Sequence, residues 1–215
     1  MRVLIVTAVE AEAKSIGDHK DTIVIVGGIG RTNAAAATTQ AILEQGPFDA
    51  VLSAGVAGSL PGAGAGAGMD LDLGDVIVAT KCVYVEEGLI TPEGFKGMQG
   101  LGFTLGSFEG NEVPVDSDLL ELVIKDYRSG PIATVATCSG TDEAAREVVR
   151  RTGALAEAME GAAVVHAAMR LGLPGLEVRA ISNTTGRRDA QRWDLRRGLS
   201  ALGDAIRAAL ASLQG

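Results

Sequence analysis

The stretch from Leu155 to Asp189, LAEAMEGAAVVHAAMRLGLPGLEVRAISNTTGRRD, decides how this chain is read. A short apolar run arrives at Met159-Glu160, and an Ala-rich pattern with helical spacing follows at once. Gly172 and Pro174 stop that pattern, as a glycine and a proline just past a helix do. A β-branched run, Leu176 to Ile181, then delivers Ser182-Asn183 to a polar loop. Strand, helix and strand in that order predict an α/β fold, in which ligands bind at the ends of strands. Glu160 is the odd residue, a carboxylate beside Met159, Gly161, Ala162 and Ala163 where a plain core takes an apolar group. Two readings are open at this point: a carboxylate answering the dipole of the helix it precedes, or a residue of a site.

The same alternation runs upstream. Arg2 to Ala8 is continuously apolar, as in a strand buried on both faces, and Glu10 to Lys14 reads as a short helix. Thr22 to Val26 ends in Gly27-Gly28-Ile29-Gly30, and Arg31 to Gln45 reads as a helix closed by Gly46-Pro47. Asp49 to Ala54 is a strand ending in a small-residue turn, Gly55-Val56-Ala57-Gly58. Pro61 to Gly68, PGAGAGAG, is low-complexity and reads as a mobile surface loop. Gly74-Asp75 opens a strand reaching Val85, and Glu86 to Phe108 is a long connection without period, read as a lid, a subunit contact or a plain surface excursion.

Asp116 to Arg128 is amphipathic and stops at Gly130-Pro131, before a strand from Ile132 to Thr137. Thr141-Asp142-Glu143 opens a helix with a hydroxyl cap and two acids, and Gly153 closes it. The last helix, Trp193 to Leu213, places Leu195, Leu199, Leu202, Ile206 and Leu210 on one face. No repeat or linker divides residues 1–215, so a single domain is expected: helices flanking a largely parallel, mixed and twisted central sheet in a three-layer sandwich.

Composition narrows the classes. Aromatic residues are 3% of the chain, so the core must be aliphatic and Ala-rich. The net charge of −8 argues against nucleic acid or an acidic membrane as a partner, while leaving room for a small ligand. Cys82 and Cys138 both lie in apolar runs and read as two buried, reduced thiols. No run approaches transmembrane length, and the short apolar start ends in acids, so a cytoplasmic protein is expected. GGIGRTN lacks the third glycine of a dinucleotide fingerprint. With no phosphate-loop motif and no metal-spaced His/Cys set, neither a cofactor nor a metal is expected. His19 and His166 stand alone, and His166, inside an apolar helix, reads as a satisfied packing residue.

Taken together, the strand ends resemble a known family. Thr7-Ala8-Val9-Glu10-Ala11-Glu12, Gly28-Ile29-Gly30-Arg31, Gly55-Val56-Ala57-Gly58, Gly74-Asp75, Met159-Glu160-Gly161-Ala162 and Val178-Arg179-Ala180-Ile181-Ser182-Asn183 look like the purine nucleoside phosphorylase and nucleosidase superfamily. The pattern is most similar to its hydrolase branch. Thr91-Pro92-Glu93-Gly94-Phe95, Met159-Glu160-Gly161-Ala162-Ala163 and Ser182-Asn183 followed by Gly186, Arg188-Asp189 and Trp193-Asp194 resemble the futalosine hydrolases within that branch.

The resemblance implies cleavage of an N-glycosidic bond through an oxocarbenium-like sugar. It implies Glu12 as the general base acting on water, Glu160 as the carboxylate binding ribose hydroxyls, and Met159 packed against the sugar. Asn183 stands where the methylthioadenosine enzymes of the branch have an aspartic acid, which removes a transferable proton. An amide still donates to purine N7 and a 6-oxo group, so Asn183 tilts the reading towards a 6-oxopurine such as hypoxanthine. Ser182 and Arg179 would orient Asn183 and Glu160, with a structural ion pair the alternative for Arg179; Val56 is a further candidate contact. Lys96, Arg187, Arg188 and Arg192 are candidates for the substrate carboxylate, against a reading of Arg187-Arg188 as a solvated loop. Phe95, Leu101 and Phe103 would offer an apolar wall, to this site or to a neighbouring subunit's, since relatives are commonly homo-oligomers. Two alternatives remain: a phosphorylase or methylthioadenosine-type nucleosidase, and a nucleoside-binding sensor without turnover.

Overall fold

The computed structural model describes residues 1–62 and 71–214; most of the low-complexity stretch at 61–68 therefore lies outside the described residues. The chain runs β1 (Val3–Thr7), α1 (Glu10–Ile16), β2 (Thr22–Val26), α2 (Arg31–Gln45), β3 (Ala50–Ser59) and β4 (Val76–Tyr84). A small hairpin follows, β5 (Gly88–Thr91) and β6 (Gly94–Gly97), then α3 (Met98–Leu101), β7 (Glu112–Pro114), α4 (Ser117–Val123) and β8 (Arg128–Thr134). The last part is α5 (Asp142–Thr152), β9 (Ala156–Ala158), α6 (Gly161–Arg170), β10 (Gly175–Thr184) and α7 (Leu195–Gln214).

Alternation along β1 explains the layering, because successive side chains point to opposite faces. Leu4 and Val6 pack with Ala34 and Ala41 of α2 and with the small residues of α6. Val3 and Ile5 pack on the other face with Ile16 of α1 and with Leu202, Ile206 and Leu210 of α7. A third cluster sets Ala145 and Val148 of α5 against Ala133 and Val135. Ala and Gly on α6 let that helix lie close to the strands, as a core with few aromatics requires.

Among the described residues the main sheet has eight strands in the order β10-β4-β8-β9-β3-β1-β2, with β7 off β4. It is mixed, as expected, but it does not stay a plain sandwich layer. β10 pairs with β4 antiparallel and also with β3 parallel. Strands β10, β4, β8, β9 and β3 thus close a ring, and β1 and β2 extend from it as a wing. The sheet is mixed and partly closed, with helices on both faces.

Several boundaries differ from expectation. Gly55 to Gly58 is the second half of β3, not a turn. Ser182 and Asn183 lie inside β10, where Asn183 pairs with Gly58 past a bulge after Ile181. β8 starts at Arg128 and runs through Gly130-Pro131, which the sequence read as a helix stop. The register of β8 on β4 slips between Ala79 and Lys81, opposite those residues, and a bulge is where a proline without an N–H is tolerated in a sheet. The connection from Glu86 to Phe108 holds the β5–β6 hairpin and α3. Cys82 is buried as expected, but Cys138 is exposed.

Candidate active site

One cleft of about 510 Å³ opens at the ends of β1, β3, β9 and β10, within the size range of small-ligand pockets. Glu12, Val56, Met159, Glu160, Ser182 and Asn183 all line it. Residues separated by up to 171 positions are joined here because the sheet closes on itself.

Glu12 is buried on the first turn of α1, while Glu10 faces solvent. Its Oε2 accepts the N–H groups of Ala8 at 2.9 Å and Val9 at 3.2 Å, and its Oε1 accepts that of Val56 at 2.8 Å. Three backbone donors hold the carboxylate in one orientation and leave one lone pair of Oε1 for a ligand. Gly55 makes the approach possible: a Cβ there would meet Glu12 Oε1 at 2.6 Å and would strike Nη1 of Arg179.

Glu160 occupies the N-cap position of α6 but bonds no amide of that helix. Its Oε1 accepts Gly30 N–H at 3.0 Å and its Oε2 accepts Met159 N–H at 3.3 Å. The helix-dipole reading therefore gives way to a carboxylate turned into the cleft. Behind it lies Arg179, fully buried, with Nε donating to Glu177 Oε1 at 2.8 Å, Nη2 donating to Ser53 Oγ at 3.1 Å and Nη2 3.5 Å from Glu160 Oε2. Burial pulls the guanidinium pKa down, and the carboxylates of Glu177, Glu160 and Glu12 more than offset it, so the net shift is upward. Arg179 is both things the sequence left open: an ion-paired buried cation and the residue that holds Glu160. Gly161 leaves the space that the Glu177 carboxylate fills. Three carboxylates around one guanidinium give this end of the cleft a negative formal balance.

The other end is built differently. Ser182 Oγ donates to Asn183 Oδ1 at 2.9 Å, and Asn183 Nδ2 donates to the Thr184 carbonyl at 3.0 Å. The oxygen is thereby engaged, and one N–H of the amide remains for a ligand. The 3-10 turn Arg188–Ala190 and the residues after it close this end. Gln191 Oε1 accepts from Arg188 Nη1 at 2.8 Å and from Trp193 Nε1 at 3.1 Å, and Arg188 stacks over the Trp193 ring at 4.9 Å. Arg188 is the one of the four basic candidates that lines the cleft. Arg192 pairs with Asp72 and Arg187 with Asp189 on the surface, and Lys96 is exposed on β6.

Phe95 does not line the cleft of its own chain. It sits on β6 with Arg151 of α5 3.5 Å above its ring. Leu195, expected on the core face of the last helix, is half exposed at the cleft mouth. His166 stacks edge-on against Phe108 and lies 3.4 Å from Tyr84 Oη, but its buried Nε2 has no partner, so it is packed without being fully satisfied.

The sequence reading marked Ser139–Thr141 as a polar strand end without giving it a role, and it missed Glu157 and Gln191. Glu157 is buried, with Oε1 accepting Ser139 N–H at 2.7 Å and Oε2 accepting Ser139 Oγ at 2.6 Å. Burial pushes its carboxyl pKa upward against those two bonds. Cys138, exposed by its surface area, lines the same wall, where partial desolvation first and then the carboxylates of Glu157, Glu160 and Glu86 push its thiol pKa upward. The available signal for Glu157 was a second acid in the run that carries Glu160.

Comparison with known proteins places this geometry. The family profile described as the phosphorylase superfamily matches residues 9–211. A futalosine hydrolase of Streptomyces coelicolor is 35% identical over 189 residues, 85% of this chain and 75% of the relative. One of Acidothermus cellulolyticus is 34% identical over 230 residues, 95% of this chain and 88% of the relative. The chain belongs to the futalosine hydrolase family of the phosphorylase superfamily. The fold agrees: the native structure of a futalosine hydrolase of Helicobacter pylori superposes with a TM-score of 0.78 at 22% identity, covering 97% of each chain. Glu12, Glu160 and Asn183 stand in one cleft. Among the described residues no helix is long and apolar enough to cross a membrane.

Proposed function

We propose that the protein hydrolyses the N-glycosidic bond of futalosine, releasing hypoxanthine and dehypoxanthine futalosine, a step of menaquinone biosynthesis. The observation that carries this reading is one cleft with carboxylates at one end and the Asn183 amide at the other. In the reaction the C1′–N9 bond breaks, its electron pair goes to the purine, and water adds to C1′. Glu12, held by three backbone donors, takes the water's proton at the remaining lone pair of Oε1. Glu160 accepts ribose hydroxyls, and the negative balance around Arg179 favours the sugar cation as it develops. Met159 packs beneath the sugar. Asn183 donates its free N–H to N7 and so accommodates charge on the leaving base.

Hydrolysis is favoured over phosphorolysis by the role of Val56. Its N–H, on the backbone facing the sugar end, is spent on Glu12 rather than offered to an anion. Purified protein given futalosine in phosphate-free buffer should release hypoxanthine. Absence of release, with rapid turnover of methylthioadenosine, would overturn the assignment, and a phosphate requirement would move it to the phosphorylases.

Residues 1–215 act, in this reading, as a single cytoplasmic nucleosidase domain in a homo-oligomer. Ile90 and Phe103, exposed on the 88–108 excursion, fit a contact with a second copy. Light scattering giving a monomer's mass would remove that part of the proposal.

A further inference from the structure

The mechanism above uses Glu12, Glu160 and Asn183 and leaves one cleft carboxylate without a task. Glu157 is 4% exposed, yet it lines the cleft. Its place in the sheet is specific. Asn183 on β10 is the register partner of Gly58 on β3, and Gly58 is the register partner of Glu157 on β9. Register partners project to the same face, so the amide and the carboxylate flank a position that has no side chain. A Cβ on Gly58 would meet the Thr185 methyl at 2.8 Å and Asn183 Nδ2 at 3.0 Å, so the missing side chain is what lets Thr185 and the amide lie against β3. Two strand spacings put the Cα atoms of Asn183 and Glu157 about 10 Å apart. Both groups line the same cleft, a donor amide on one side of Gly58 and an acceptor carboxylate on the other, a spacing that suits opposite edges of one base.

A carboxylate has about four lone-pair sites. Ser139 fills two of those on Glu157, one per oxygen, and fixes their direction. What remains can only accept. A base held at N7 by Asn183 presents its six-membered ring to the far side of Gly58. A 6-oxopurine carries N1–H there, a donor, whereas a 6-aminopurine carries a bare N1, an acceptor, which would face the carboxylate lone pairs. We propose that Glu157 is a specificity-determining residue that accepts the N1–H of a 6-oxopurine and excludes 6-aminopurines. Ser139 is its positioning residue, through the N–H and the hydroxyl that aim the carboxylate. The proposal rests on the nucleosidase reading above and adds to it the group that reads the base.

The test compares kcat/KM for futalosine with that for its 6-amino counterpart, in the wild type and in Glu157→Gln. A glutamine amide can accept from N1–H or donate to a bare N1, so it does not discriminate. The wild type should prefer the 6-oxo substrate by at least about a hundredfold, as a site built around a substrate N–H does. In Glu157→Gln the ratio should collapse to within about tenfold. If Glu157 only anchors the 138–140 loop, both substrates lose rate equally, the ratio stays, and the proposal is overturned. A second measurement needs no variant: inhibition of the wild type by hypoxanthine and by 1-methylhypoxanthine. The methylated base should bind at least about tenfold more weakly, the discrimination expected from one lost buried hydrogen bond, and equal inhibition would overturn the proposal. If the wild type fails to release hypoxanthine from futalosine, the nucleosidase reading fails by itself, and direct binding of the two bases, measured by calorimetry, still judges Glu157.

Discussion

At the scale of single residues, the cleft is held by groups that cannot move independently. The Glu12 carboxylate is bonded to three amides, two from the β1–α1 turn and one from β3, so its remaining lone pair has a fixed direction. Replacing Glu12 with Gln keeps the size and most of the packing and removes the base. Hypoxanthine release should fall by about 10²–10⁴, the range for general-base loss, with the circular dichroism spectrum unchanged; unaltered turnover would show that another group activates the water. Asn183 is argued from its bonds. With Oδ1 engaged by Ser182, the amide presents a donor and no transferable proton. Asn183→Asp should therefore raise the rate on a 6-aminopurine nucleoside relative to the 6-oxo substrate, read as the ratio of the two kcat/KM values. A ratio that moves the other way would show that the amide is not at the base.

At the scale of elements, α5 shows how local chemistry sets a helix. Thr141 Oγ1 accepts Ala144 N–H at 3.1 Å, Asp142 and Glu143 occupy the first turn, and Gly153 closes the helix at a φ of 64°. Thr141→Ala should cost about 1 kcal/mol of unfolding free energy in urea; a change near zero would mean that packing on β8 fixes the end of the helix by itself. This cap was legible in the sequence, as were the span of α2 and the strand before Glu160, because each rests on neighbours in the chain. Less local features were not. Gly55 to Gly58 looked like a turn because glycine is common there, yet these glycines are needed where Arg179, Glu12 and Asn183 crowd β3. Gly130-Pro131 looked like a stop because the bulge that tolerates the proline depends on β4. The cleft residues with a family signature, Glu12, Met159, Glu160 and Asn183, could be read one by one. Glu157 could not, because its partner Asn183 is two strands away and the intervening residue is a glycine.

For the whole molecule, packing sets how stability responds to acid. Burial, and then the nearby Arg170, depress the His166 pKa below its ordinary value of 6.5. A group with a depressed pKa in the folded state adds stability above its unfolded value and loses it as pH falls through the folded value. Melting temperature should thus decline as pH drops below about 6.5, and His166→Phe should remove part of that slope. Glu157, whose pKa is raised, acts with the opposite sign in a window beginning near its ordinary 4.5, where its contribution falls as pH rises. An unchanged slope in His166→Phe would place the acid sensitivity elsewhere.

The closure of the sheet also has an order in time. β10 is the last strand of the chain and the one that meets both β3 and β4. During synthesis, β3 and β4 are made well over a hundred residues, in the case of β3, before the segment that covers their edges. Until residues 175–184 arrive, both edges present unpaired backbone groups, the kind of surface that recruits other strands. Asn183, the proposed partner of the leaving base, travels on that same segment. The strand that covers both edges is also the one that brings Asn183 into the cleft, so a chain truncated before residue 175 would lack the proposed site and leave two strand edges open.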